Sequence, residues 1–354
     1  MPLPPCIRLF SKRVWMSSRR DKPERHAGEL EVLSRIRQRM DGWAAGRGGL
    51  RLGIGDDCAL LSAKANEEIA VTTDLSIEGR HFRLDWQPPE SIGHRTLARG
   101  LSDLAAMGAR PLAAFLSLGL PADLISAQRG RAWIERFYDG LLALAGEHKA
   151  PLAGGDLAES PVALADIVLV GAVPAGRALL RSGARPGDIL YVTAALGGAA
   201  AGLERIARIV AAGRTPRRLE AMLRPHLYPE PRIPQGMWLG SRGIASAAID
   251  LSDGLSADLA HLCEESGVAA EVDEGAIPVA SGATLDQALH GGEDYELLFA
   301  ARPAARLPRA IRGVAVTRIG HVVRMRPRSP RIVLRKAAGA EALEQRGWEH
   351  FSQK

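Results

Sequence analysis

From residue 28 onward, apolar positions alternate between helical and strand spacing, and the switches divide the chain into a series of elements. Leu30, Leu33 and Ile36 predict a helix over residues 29–40. Residues 69–74 (IAVTTD) read as a strand that ends on an acid. Leu97, Leu101, Leu104 and Ala105 form one apolar stripe, predicting a helix over 91–108 with Ser102 and Asp103 off the buried side. Residues 112–120 then read as a strand, 127–147 as a long helix and 162–170 as another strand. The segment AGGD at 153–156 reads as a loop before that last strand. Past Pro174 a polar, turn-rich link leads to a strand over 189–193 and a helix after Gly198. Residues 244–249 are a short apolar run of buried-strand type. They pass through 250–255 (DLSDGL) into helical spacing at Leu255, Leu259, Leu262 and Cys263. Strands are expected near 314–319 and 332–334.

Alternating strands and helices on both sides of Pro174 predict two α/β domains in series, over residues 28–173 and 174–354. Residues 1–27 show little periodic pattern and read as a basic, disordered extension. They hold seven Lys/Arg against two Asp/Glu, which is +5 of the formal +6, so residues 28–354 carry +1. The pI near 9.5 therefore reflects the extension, and a nearly neutral body with few aromatics argues against a nucleic-acid partner. No apolar run approaches the roughly 18 residues of a membrane span. Cys6, Cys58 and Cys263 are scattered without CxxC spacing, as expected of reduced thiols in a cytoplasmic protein.

The chemistry lies in the acids. Of Asp56, Asp57, Asp74, Asp103, Asp156, Asp250, Asp253, Glu293 and Asp294, most sit beside Gly, Ser or Thr at predicted strand or helix ends. Each has a structural reading as well. Asp250, Asp253 and Ser252 suit a helix N-terminus, and Asp103 has Arg99 one turn before it, the spacing of a surface ion pair. Taken together, so many carboxylates would repel one another unless cations neutralised them. Hard oxygen ligands favour Mg²⁺, which completes its shell with substrate phosphates. The composition therefore predicts a nucleoside triphosphate delivered with several Mg²⁺ ions. Neither a GxxxxGK[ST] loop nor a protein-kinase signature is present.

Seven segments carry a resemblance: 53–57 (GIGDD), 72–74 (TTD) with 78–82 (EGRHF), 101–109 (LSDLAAMGA), 154–156 (GGD), 177–188 (RALLRSGARPGD), 249–255 (IDLSDGL) and 291–296 (GGEDYE). In this order they resemble the thiamine-monophosphate kinases, of the aminoimidazole-ribonucleotide-synthetase-like superfamily, over about residues 28–351. Arg80 and Leu157 depart from the usual pattern without removing a ligand. The resemblance implies a two-domain α/β (α+β) fold whose N-terminal domain pairs with a second copy as a dimer barrel. It implies that Asp57, Thr72, Thr73, Asp74, Asp103, Asp156, Asp250 and Asp253 hold Mg²⁺. Gly155, Asp156, Arg181 and Ser252 would contact ATP. His81, Glu293 and Trp348 would contact thiamine monophosphate, Trp348 through its aromatic face.

The implied reaction is direct, in-line transfer of the ATP γ-phosphate to an acceptor phosphate that is already ionised. It needs no strong general base and no phosphoenzyme. Two alternatives remain: aminoimidazole ribonucleotide synthesis on the same fold, and a non-catalytic ATP and Mg²⁺ sensor. Selenophosphate synthesis and hydrogenase-maturation dehydration each require a cysteine in a context this chain lacks.

Overall fold

The computed structural model describes residues 35–36, 38–39, 50–52, 60–126, 128–214 and 221–347. The 1–27 extension, Asp57, Trp348 and most of the 29–40 helix expectation lie outside the described residues. A short pair, β1 (Leu50–Leu52) and β2 (Leu60–Leu61), precedes the first large sheet.

That sheet takes β3 (Glu67–Ile77), β4 (Arg110–Leu120), β5 (Leu152–Glu159) and β6 (Leu164–Pro174) in the order β3-β6-β4-β5. Only β4 and β5 run parallel. Helix α1 (Pro89–Ala106) lies between β3 and β4, and α2 (Gln128–His148) between β4 and β5. Leu97, Leu101 and Leu104 of α1 are buried as the stripe predicts, but so is Ser102 on the side expected to be polar.

The second sheet has the order β14-β13-β9-β12-β7-β10-β8, with β11 paired to β12. Its central members are β7 (Ile189–Thr193), β8 (Ala245–Asp250), β9 (Ala269–Asp273) and β10 (Leu297–Ala301). The outer members are β11 (Ala310–Ile311), β12 (Val314–Val323), β13 (Ile332–Lys336) and β14 (Gly339–Ala342). Only β13 and β9 pair in parallel. Helices and strands alternate as expected, yet most ladders are antiparallel, so the α+β description fits better than a parallel α/β sheet.

Helices α3 (Gly198–Ala211), α4 (Ile233–Arg242), α5 (Leu255–Glu265) and α6 (Leu285–His290) belong to this half. Helix α4 crosses α1 closely: a Cβ on Gly236 would lie 1.9 Å from the Ala105 carbonyl oxygen. Leu97 and Leu101 share one hydrophobic core with Leu239, Leu297 and Phe299, so the junction between the halves is packed and α1 is fixed against both.

Candidate active site at the junction of the two halves

Strand β3 and helix α1 run side by side, and facing residues on them pair. Arg99 donates to Asp74 at 2.8 and 3.2 Å, and the Thr72 hydroxyl donates to Asp103. The helical spacing offered Arg99 as an alternative partner of Asp103, and the strand pattern ended on Asp74. The structure corrects both, because β3 continues three residues past Asp74 with its carboxylate held by Arg99.

On the other side of α1, Ser102 reaches the second half and donates to Asp250 at 2.7 Å. Asp250 ends β8 and opens the turn into α5. Asp258 braces that turn by accepting from the Asp253 and Gly254 amides at 3.1 and 3.0 Å. Backbone bonds from Glu293 to Ser252 and from Tyr295 to Leu251 tie the 291–296 segment to the same turn.

A cavity of about 610 Å³ opens where these elements meet. Thr73, Asp74, Asp103, Asp250, Ser252 and Asp253 line it together with His81 and Glu293. Burial, then the neighbouring Asp103, push the Asp250 carboxyl up to about 7; burial and Asp74 raise Asp103 despite the Thr72 hydrogen bond. Each of these carboxyls therefore holds its proton more tightly than an ordinary aspartate. Glu293 goes the other way. Burial alone would raise it, but Arg95 and His226 hold it down to about 2.

Arg95, which no local sequence pattern marks, is buried and donates to Glu293 at 2.6 Å and to the His226 carbonyl at 2.5 Å. Gln87 holds the far side of the His226 ring at 2.9 Å, and burial, then Arg95, lower that histidine to about 3. These contacts span 131–198 positions of sequence, and no local pattern announces them.

Gly155 and Asp156 lie outside the cavity lining and are exposed on β5, where a loop was expected. A Cβ on Gly155 would sit 1.8 Å from the Leu116 carbonyl oxygen, so the parallel β4–β5 pairing itself demands glycine. Gly155→Ala is expected to lower the unfolding midpoint by several degrees in a thermal melt, with or without ligands. Arg181 is exposed, and its charge acts on both Asp103 and Asp250. Among the described residues, no three His, Cys, Asp or Glu side chains are gathered closely enough to hold a metal as they stand. Asp74, Asp103 and Asp250 are instead occupied by Arg99, Thr72 and Ser102.

Two family descriptions match in tandem: AIR synthase related protein, N-terminal domain, over residues 55–173, and the corresponding C-terminal domain over 185–328. The thiamine-monophosphate kinase of Salmonella typhimurium is 41% identical over 302 residues, covering 83% of this chain and 87% of that protein. The crystal structure of thiamine-monophosphate kinase from Stenotrophomonas maltophilia superposes with a TM-score of 0.72 at 38% identity, over 86% of this chain and 95% of that one. AaThiL complexed with AMPPCP and TMP superposes with a TM-score of 0.70 at 28% identity, over 92% and 97%. With both domains matched and sequence identity sustained over most of the length, the chain belongs to the thiamine-monophosphate kinase family of AIR synthase related proteins.

Proposed function

We propose that the protein transfers the γ-phosphoryl group of ATP to thiamine monophosphate, giving thiamine diphosphate and ADP in the cytoplasm. The observation that carries this reading is the junction cavity, which gathers carboxylates from both halves beside His81 and Glu293. Its support from relatives is the AaThiL complex, which holds an ATP analogue together with TMP.

The raised Asp103 and Asp250 carboxyls mark a place where added positive charge is favourable, and the all-oxygen donor set fits Mg²⁺. Asp57, Thr72, Thr73, Asp74, Asp103, Asp156, Asp250 and Asp253 would hold several such ions. When bound, Mg²⁺ neutralises the donor and acceptor phosphates and so reduces their mutual repulsion. Gly155, Asp156, Arg181 and Ser252 contact the nucleotide. Glu293, His81 and Trp348 orient the thiamine moiety, the Glu293 carboxylate matching its positive ring. No residue of the chain is required as a base or covalent nucleophile. The functional domains are 28–173 and 174–354, and a second copy packs on the first sheet, where Ile69, Val71 and Leu75 alternate along one exposed face of β3.

The test is ADP release from Mg·ATP with and without thiamine monophosphate, with the product identified as thiamine diphosphate. Tight ATP binding without turnover on thiamine monophosphate overturns the reading. The raised carboxyls add a pH dependence: Mg²⁺ would compete with the protons they retain, so its affinity rises between about pH 6 and about pH 8. Calorimetry in two buffers of different ionisation enthalpy should register proton release on Mg²⁺ binding; none would contradict a protonated Asp103–Asp250 pair.

A further inference from the structure

A second cavity of about 560 Å³ lies where α2, α4, the start of β4 and the β11–β12 hairpin meet, and it shares no lining residue with the first. Its apolar wall is Ile233, Met237 and Trp238, and its rim carries Lys149, Arg242 and Arg312. Arg242 is held over the Trp238 ring at 4.5 Å. Arg110 also lines the cavity but is neutralised by Glu67, and Glu147 is the one acid in the lining. Among the described residues, no carboxylate pairs with Lys149, Arg242 or Arg312.

Two of these cations occupy backbone positions that favour other residues. Lys149 has φ 55 and follows the last residue of α2. Its amide bonds to Gly146 and the Ala150 amide to Ala145, the helix-ending motif that ordinarily takes glycine here. Arg312 has φ 50 and Gly313 φ 84, joining Ile311 to Val314 as a two-residue hairpin turn whose first position prefers Asn, Asp or Gly. The chain has six lysines among its 46 basic residues, and the only one between residues 64 and 336 stands at this rim. A lysine at a helix C-terminus also suits the helix dipole. That does not account for Arg312, or for the convergence of both on one apolar wall.

We propose that this cavity is a second ligand site for a small aromatic phosphate ester, its ring on the Trp238 wall and its phosphate between Lys149, Arg242 and Arg312. Several cations converging from three elements match a dianion, and guanidinium groups match phosphate oxygens.

Pyridoxal 5′-phosphate is a direct probe, since its aldehyde condenses with a lysine amine to an imine and water, and borohydride reduction makes the link permanent. On the full chain, peptide mapping should find Lys149 labelled at concentrations that spare Lys64 and Lys336. Phenyl phosphate should protect Lys149 at least about tenfold better than inorganic phosphate. Arg312→Asn, which suits the turn better than arginine, should weaken phenyl phosphate protection about tenfold without lowering the unfolding midpoint. Even labelling of the three lysines, protection by inorganic phosphate alone, or an Arg312→Asn variant that protects normally would each overturn the site. A lysine serving only the helix dipole would show no protection at all.

Discussion

Asp250→Asn is expected to lower kcat by about three orders of magnitude while leaving the metal-free protein at least as stable as the wild type. The two effects share one cause. Asp250 is buried, its charge opposed by burial and by Asp103, and Ser102 is its hydrogen-bond donor. Asparagine has nearly the same shape, and its amide oxygen still accepts from Ser102. What disappears is the negative charge, which opposes folding but, on the proposed function, would give Mg²⁺ a position.

The pH dependence separates the contributions. Asp250 has a higher pKa folded than unfolded, so the native state binds the proton more tightly. That contribution is complete below about pH 4 and is lost as the pH rises through about 7. In EDTA, the wild-type unfolding midpoint should therefore fall across this window while that of Asp250→Asn stays flatter. Adding Mg²⁺ should raise the wild type more than the variant. Near-normal turnover of the variant at saturating Mg²⁺ would sink the carboxylate-site reading, as would a lower midpoint in EDTA. On the proposed function, a charge that serves turnover opposes stability here.

Much of the frame is legible in the sequence because it depends on local periodicity. The Leu97, Leu101 and Leu104 stripe gives α1, and the run before Asp250 gives β8. The misreadings fall where tertiary contacts override a local signal. Gly154 and Gly155 carry a turn signal, yet they lie within β5, where at Gly155 the backbone of β4 approaches too closely for a side chain. Arg99 has helical spacing to Asp103, yet bonds Asp74 across the β3–α1 contact. Ser102 is polar and still buried, because Asp250 arrives from the other half to receive its hydrogen. The acids themselves were visible as types beside small residues. Their partners Arg95, His226 and Gln87 were not, since nothing near them in sequence marks a role fulfilled more than a hundred residues away.

Glu293→Gln is expected to raise KM for thiamine monophosphate more than tenfold and to destabilise the fold by about 3 kcal/mol. The stability loss follows from Arg95, whose side chain is only 4% exposed and would keep a full charge with no carboxylate to match it. His226 cannot substitute, because burial and Arg95 keep it neutral. The folded pKa of Glu293 lies below the unfolded one, so the pair stabilises the protein above about pH 4.5, and this is lost as the pH falls through about 2. Arg95→Met in the Glu293→Gln background should recover most of the lost midpoint, since removing both charges relieves the buried imbalance. It should not recover acceptor affinity, because the carboxylate facing the cavity is still missing. A double variant that regains both would make Glu293 a structural partner of Arg95 alone. One that regains stability but keeps the high KM assigns the Glu293 carboxylate to the thiamine moiety and leaves Arg95 as the residue that positions it.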